Sequence, residues 1–420
     1  MKKNNYRATD VSRLNIEKLS NAVCGKGIVL GIDVAKVKQF ACIMDESCQV
    51  LKTIKWDHPA QSVEFKDLIK RLPLGKIEVA MEPSGSYGDP IKQLFSDEKI
   101  EVYRVSPKRC HDAAEVYDGV PSSHDAKSAA IIGKLHIDGA SEKWPVKDKK
   151  ERDLDAVIKT VHLCQNRFDQ DINRLEAQLA RYWPEISKII KIRTKTLLKL
   201  IGKFGSPAQV AGNLDQAIKL MKSTGGHFLK DEKVIKITES AKSTIGIKMT
   251  EYEELELKFL VNNALSVRDE LNAAKKRLKK LSEENETIKR LSRVVGITTA
   301  AILISSCGNP LKYGHPKQWL KSFGLNLKEK SSGNYKGSLK ITKRGSGMSR
   351  HWLYFAALRL IYNDAAIGIW YEKKVKRDGG VRMKGVVAVM RKLVKALWHV
   401  ARGSEFDSRK MFDVRGLPNC

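Results

Sequence analysis

The order of strand-like and helix-like runs over residues 27–145 constrains this chain most. GIVLGIDVA (27–35) is a short apolar run of the buried-strand type. FACIMDES and QVLKTIKW predict two more strands around a turn at 45–48. A helix fits 60–71, and KIEVAMEP (76–83) predicts a strand stopped by Pro83. GDPIKQLFSDE suits a helix, EVYRVSP (101–107) a strand, and AKSAAIIGKLHIDG a helix ending near Gly139. Three strands in a row followed by β-α-β-α is the order of an RNase H-like α/β domain, expected over 27–145. Residues 1–26 lack an apolar core segment, so they read as a loose polar arm and not as a secretory signal.

After Pro145 the pattern changes to helical spacing. Leu154, Ile158, Val161, Gln165, Phe168, Ile172, Leu175, Leu179 and Tyr182 follow a 4-3-4-3 step that Pro184 breaks. Leu257, Leu260, Ala264, Val267, Leu271, Ala274, Leu278, Leu281, Asn285 and Ile288 keep the step more strictly, with mainly charged residues between them. The pattern predicts a coiled coil within a helical segment at 146–290, pairing two subunits. An antiparallel hairpin inside one subunit is the alternative. Asn285 falls at a core position where it would set register. Residues 185–250 are basic and show no clear period.

From 291 to about 410 a third region is expected, mainly helical. LSRVVGITTAAILISSCG has the form helix–glycine turn–helix, like a helix-hairpin-helix that offers backbone N–H groups to a phosphate. An ordinary turn between helices fits it equally well.

Charge sets the class of partner. The chain has 77 basic and 48 acidic residues among 420, a net charge of +29. Such an excess repels itself and calls for a polyanion, nucleic acid first. No apolar run reaches the roughly 18 residues of a membrane span. Seven scattered cysteines with no zinc spacing point to a reduced, cytoplasmic protein.

Three acids stand at places where a sheet opens to solvent. Asp33 ends the first strand, Glu82 ends another, and Asp125 starts a helix in SSHDAKSAA. Singly, Asp33 reads as a turn residue and Asp125 equally as an N-cap. Together they form a set of hard oxygen ligands suited to Mg²⁺, with two ions expected on a phosphodiester. A GID strand also opens sugar kinases and actin-like ATPases. Those need a second α/β half with its own phosphate loop, where this chain has helices.

The stretch SSGNYKGSLKITKRGSG (331–347) contains no acid. Lys336, Lys340, Lys343 and Arg344 supply charge, as does nearby Arg350, and glycines 333, 337, 345 and 347 let the backbone approach a polyanion. Ser331 and Ser332 are candidate nucleophiles if a base or metal activates them. Otherwise they only donate hydrogen bonds to phosphate.

GIDVAK, VAMEPSG, YRVSPKR, HDAKSAAIIGKL, VVGITTAAIL, WLKSFGLN, SSGNYKGSLKITKRGSG and RMKGVVAVMRKLVKALW, taken in order, resemble the DEDD transposases of bacterial insertion sequences, which include the Piv-type site-specific invertases. The resemblance runs from residue 27 to about 400. It implies a RuvC-like N-terminal domain, a coiled-coil middle and a C-terminal transposase domain with a serine nucleophile. It implies cutting and rejoining of DNA through a phosphoserine link, guided by a structured non-coding RNA that pairs with donor and target DNA. The family's first three acids map to Asp33, Glu82 and Asp125. Its fourth falls on Ser128, a poorer metal ligand, and its serine maps best to Ser332, with Ser331 adjacent. A homo-oligomer, dimer or tetramer, and a place in the bacterial cytoplasm at the nucleoid are implied. The resemblance points to an RNA-guided DNA recombinase. The alternatives are a RuvC-like, metal-dependent nuclease that uses the acids alone, and a non-catalytic nucleic-acid-binding protein.

Overall fold

The computed structural model describes residues 7–117, 119–120, 124–329, 331–332, 335–337 and 339–412. For 331, 332, 335 and 336 it describes the backbone alone. The chain divides into two compact units, Met1–Asp148 and Lys149–Cys420.

The first unit is a mixed seven-stranded sheet with helices on both faces. Its elements in chain order are β1 (Thr9–Asp10), α1 (Ile16–Val23), β2 (Gly27–Asp33), β3 (Lys38–Asp45), β4 (Val50–Asp57), α2 (Ser62–Arg71), β5 (Lys76–Met81), α3 (Asp89–Asp97), β6 (Glu101–Val105), α4 (Pro107–Asp112), α5 (Asp125–Ile137) and β7 (Ser141–Lys143). The strand order is β1-β4-β3-β2-β5-β6-β7. The expected three-strand start is an antiparallel meander of β2, β3 and β4, and β5 then joins β2 in parallel. Residues 9–23 are not a loose arm. Thr9–Asp10 extends the sheet beside β4, and α1 buries Leu19 and Val23.

The central strand β2 shows how the layers form. Side chains alternate across a strand, so Ile28, Leu30 and Ile32 share one face and Val29, Gly31 and Asp33 the other. The first set joins a core with Trp56 and Phe65, Phe95 and Leu68 of α2 and α3. Val29 packs with Cys42, Met44 and Ala129 and Ala130 of α5.

The second unit is built around α6 (Lys149–Tyr182). Five short helices follow it: α7 (Ile186–Ile189), α8 (Lys195–Phe204), α9 (Pro207–Gly212), α10 (Leu214–Gly225) and α11 (Asp231–Ser243). Then come α12 (Glu251–Ser282), α13 (Glu286–Val295), α14 (Ile297–Cys307) and α15 (Pro316–Ser322). A hairpin region carries β8 (Leu327–Lys328), β9 (Ser331–Ser332), β10 (Tyr335–Lys336) and β11 (Lys340–Ile341). It leads into α16 (Gly347–Asn363), α17 (Ala365–Arg377) and α18 (Arg382–Ala401). One core runs from Ile158 to Phe412 without a division near residue 290.

The heptad of α12 is used inside the chain. Its start is fixed by a reciprocal cap in which Thr250 and Glu253 each accept the other's backbone N–H. Leu257, Ala264, Val267, Leu271, Ala274 and Leu278 are all buried in the single chain, and α6 is the principal neighbour of α12. The two helices run antiparallel: Tyr182 donates to Glu253, Lys275 to Gln165, and Lys150 bonds Glu284. The apolar seam expected to pair subunits is thus closed by the chain's own helix. Asn285 does not set register either. The helix ends at Ser282, and Asn285 caps α13 by accepting the N–H of Ile288 at 3.0 Å.

Candidate active site

The acids come together through the sheet's own geometry. β2 and β5 pair in parallel with Ile32 opposite Met81. One residue further on, Asp33 and Glu82 emerge side by side at the strand ends. The two-residue period puts both on the face that α5 covers. Gly31 and Gly133 let α5 approach to backbone contact. A Cβ on Gly31 would lie 2.2 Å from the carbonyl oxygen of Ala129 and 2.6 Å from the nitrogen of Gly133. This contact places the start of α5, and Asp125 with it, at the same sheet edge.

Asp125 is the first helical residue and not the cap. His124 takes that role, its side chain accepting the N–H of Lys127. The Asp125 carboxylate is exposed and free for other work. Ser128 lies one turn further along α5 and is half-buried.

Electrostatics show that Asp33 feels the other two acids. The carboxyl of Asp33 is pushed up to about 6, first by burial, then by the negative charges of Asp125 and Glu82. The same neighbourhood holds a residue that sequence reasoning passed over. Cys110, on α4, is buried, and its thiol is pushed far up by burial, by the charge of Glu82 and by its hydrogen bond to that carboxylate. The thiol therefore stays protonated and acts as a donor to Glu82. Its only sequence signal is its place five residues past the end of β6.

The donor set fits a hard divalent cation. The carboxylates supply oxygen and excess negative charge that a cation would relieve. Among the described residues, no three His, Cys, Asp or Glu side chains converge closely enough to enclose an ion unaided.

The candidate serines lie in a different setting. β8 and β11 pair antiparallel, as do β9 and β10, with Ser332 opposite Tyr335 and Ser331 opposite Lys336. Ser332 is thus the last strand residue before positions 333–334, which lie outside the described residues. The side chains of Ser331, Ser332 and Lys336 also lie outside them.

The root of this hairpin is well anchored. Thr342 donates to the Asn326 side chain at 2.7 Å, and the N–H of Lys343 donates to Gly324 at 2.9 Å. Gly345 lies against the backbone of 322–324, where a Cβ would meet the Ser322 oxygen at 2.2 Å. This packing leaves Lys343, in a left-handed conformation at φ 55, and Arg344 exposed, with Lys340 also exposed. Arg350 is engaged otherwise. Its Nη1 donates to the carbonyls of Phe323 at 2.8 Å and Gly345 at 3.0 Å, so it clamps the root.

The helix–glycine–helix element is present as α13, Gly296 at φ 79 and α14. The Arg359 guanidinium lies beside Gly296 and within 3.5 Å of the Val294 carbonyl.

Strand-end acids on an RNase H-like sheet, followed in the chain by a helical unit rich in cations, suit a transposase, and the family comparisons show that class. A transposase family model of the DEDD IS110 type matches residues 30–184. A second model, the transposase IS116/IS110/IS902 family, matches residues 289–368. Together they cover more than half of the chain, the first running through the sheet unit and α6, the second lying wholly in the helical unit. The chain belongs to the DEDD transposases of the IS110 type. No curated protein matches it. No described helix is long and apolar enough to cross a membrane.

Proposed function

We propose that this transposase cuts and rejoins DNA through a phosphoserine intermediate, with Ser332 as the nucleophile and the acids Asp33, Glu82 and Asp125 as holders of Mg²⁺, two ions in number. The reading rests above all on Asp33, whose pKa is raised first by burial and then by the nearby charges of Asp125 and Glu82. A bound Mg²⁺ would supply positive charge to the oxygens of the phosphodiester. The protein's own residues do the rest. The Ser332 oxygen forms a bond to phosphorus, its proton passing to a nearby base or water. The bond from phosphorus to one sugar oxygen breaks, and that oxygen leaves as a strand-end hydroxyl. A new strand-end hydroxyl then attacks the phosphoserine, restores the diester and returns the proton to serine. No net bond energy is lost, so the cycle consumes no nucleotide cofactor.

Lys336, Lys340, Lys343 and Arg344 hold strand phosphates around the hairpin. Arg350 joins them as a nucleic-acid-binding residue, while its Nη1 keeps the root in shape. The partners proposed are donor and target DNA and a structured guide RNA of the element. The RNA rests on the family resemblance, and the net charge of +29 is compatible with it. A homo-oligomer, dimer or tetramer, working in the bacterial cytoplasm at the nucleoid, completes the reading.

Trapping on a nicked DNA substrate tests it. The wild-type chain should form a covalent protein–DNA adduct, Ser332→Ala none, and Ser331→Ala at least some. Cleavage without any adduct would replace this reading with that of a metal-dependent nuclease. An adduct that persists in Ser332→Ala and vanishes in Ser331→Ala would move the nucleophile by one residue.

A further inference from the structure

The packing of α18 on the segment before the hairpin contains a lysine, Lys395, to which the fold gives no hydrogen-bond partner among the described residues. Arg391, Lys395 and Trp398 lie on one face of α18, at spacings of four and three residues, and Arg402, the residue that caps the helix, continues the row four residues on. Three of them hold backbone carbonyls of the facing segment. Arg391 Nε donates to Leu325 at 2.9 Å, Trp398 Nε1 to Tyr313 at 3.1 Å, and Arg402 to Tyr313 at 2.7 Å and Pro310 at 3.1 Å. Lys395 sits among them, half-buried, and makes no hydrogen bond or ion pair to any described residue.

Its surroundings are all of one sign. Helix α15 packs against α18 and brings the exposed Lys317 near. Residues 308–322 and 382–401 contain no acid. Burial lowers the pKa of Lys395, and the charges of Arg391 and Lys317 lower it further. A half-buried ammonium beside two cations costs stability.

We propose that Lys317, Arg391 and Lys395 form a phosphate-binding site for the backbone of a nucleic-acid strand, on the face that Leu325 joins to the root of the hairpin. The three cations come from two packed helices, and Arg391 is held in place by the Leu325 carbonyl. The group lies open to solvent through Lys317, which suits a phosphodiester on a long strand. The site rests on the nucleic-acid reading given above and names residues that the hairpin cations do not include.

The test uses the full chain carrying Lys317→Ala with Lys395→Met, the methionine keeping the half-buried stem. Binding of a short duplex DNA and of a hairpin RNA is followed by anisotropy between about 50 and 200 mM salt. The double variant should bind about tenfold more weakly, with a salt slope reduced by about 1 to 2. Its unfolding temperature should hold or rise, since like charges have been removed. Loss with one probe alone assigns the strand to DNA or to RNA, and loss with both assigns a site that serves either. An unchanged slope with both probes overturns the site and leaves the proposed function standing. An unfolding temperature lowered by several degrees also overturns it, because the lysines would then be packing residues. A wild-type chain that binds neither probe sinks both readings.

Discussion

The sheet edge of the first unit and the α15–α18 face of the second carry opposite charge under the same physical condition. At the sheet edge Asp33 is half-buried beside two other acids, and its proton is held up to about pH 6. On the helical face Lys395 is half-buried beside two other cations, and its proton is held less tightly than usual. Each group repels itself, and no described residue of opposite charge forms an ion pair with Asp33 or Lys395. The difference lies in what each lacks. Hard oxygens call for a metal ion, and cations call for phosphate. On the proposed function, the two halves of phosphoryl-transfer chemistry are assigned to separate compact units.

The widest separation between the two regions should come from Asp33→Ala. It should abolish strand transfer, by about a thousandfold or more, while nucleic-acid retention changes little. Recombination and binding measured on the same preparation check this. Retained activity would remove Asp33 from the site, and lost binding would mean that the regions are not chemically distinct.

A large structural effect is expected in the helical unit. Leu271→Asp with Leu278→Asp puts two charges into the α6–α12 seam and should cost about 5 kcal/mol or more. Because the seam is closed within the chain, the expected result is loss of helix at every protein concentration. A well-folded variant of lower mass in light scattering would show instead that the seam joins subunits.

A smaller effect tests the self-repulsion of the acids directly. The folded chain keeps the Asp33 proton to about pH 6, whereas the unfolded chain loses it near the usual carboxylate value, 3.8. Between these values the folded state binds more protons, so stability falls as pH rises through the window and stays lower above it. Asp33→Asn should therefore be more stable than wild type at pH 8 in chelator, by about 1 to 2 kcal/mol after allowance for partial exposure. The difference should vanish near pH 4. Mg²⁺ should narrow it at pH 8 by stabilising the wild type. An Asn variant with no advantage at pH 8 would show that the three carboxylates do not strain one another.

The smallest effect belongs to Ser128. Ser128→Asp adds a carboxylate one turn from Asp125 and should be tolerated, with the Mg²⁺ needed for activity lowered a few-fold. A folded but inactive Asp variant would show that the hydroxyl has a task a carboxylate cannot perform.

Much of the first unit was legible because its strands are short apolar runs between strong stop signals. Pro83 and the turn at 45–48 bound elements within a few residues of where they fall. What escaped notice was short. Thr9–Asp10 and Ser141–Lys143 are edge strands whose pairing depends on partners far away in sequence. The helices of 185–250 are too short to display a period. The α12 heptad was legible as a seam, but the same spacing serves a neighbouring helix of the same chain as well as a partner's. Asn285 looked like a core residue because the spacing continues across the end of the helix. Of the site, the three acids were visible as strand and helix ends. Cys110 was not, since a lone thiol carries no pattern until the fold brings it to Glu82.

The contact between Gly31 and Gly133 has one more consequence. Where two side chains separate a helix from a sheet, a rotamer change can move the helix by a fraction of an ångström. Here main chain meets main chain, and there is no rotamer to change. The position of Asp125 relative to Asp33 is therefore machined into the peptide backbone, and only unfolding of the layer can detune it. A deep mutational scan should rank these two glycines with the acids themselves, although neither has a side chain with which to touch DNA.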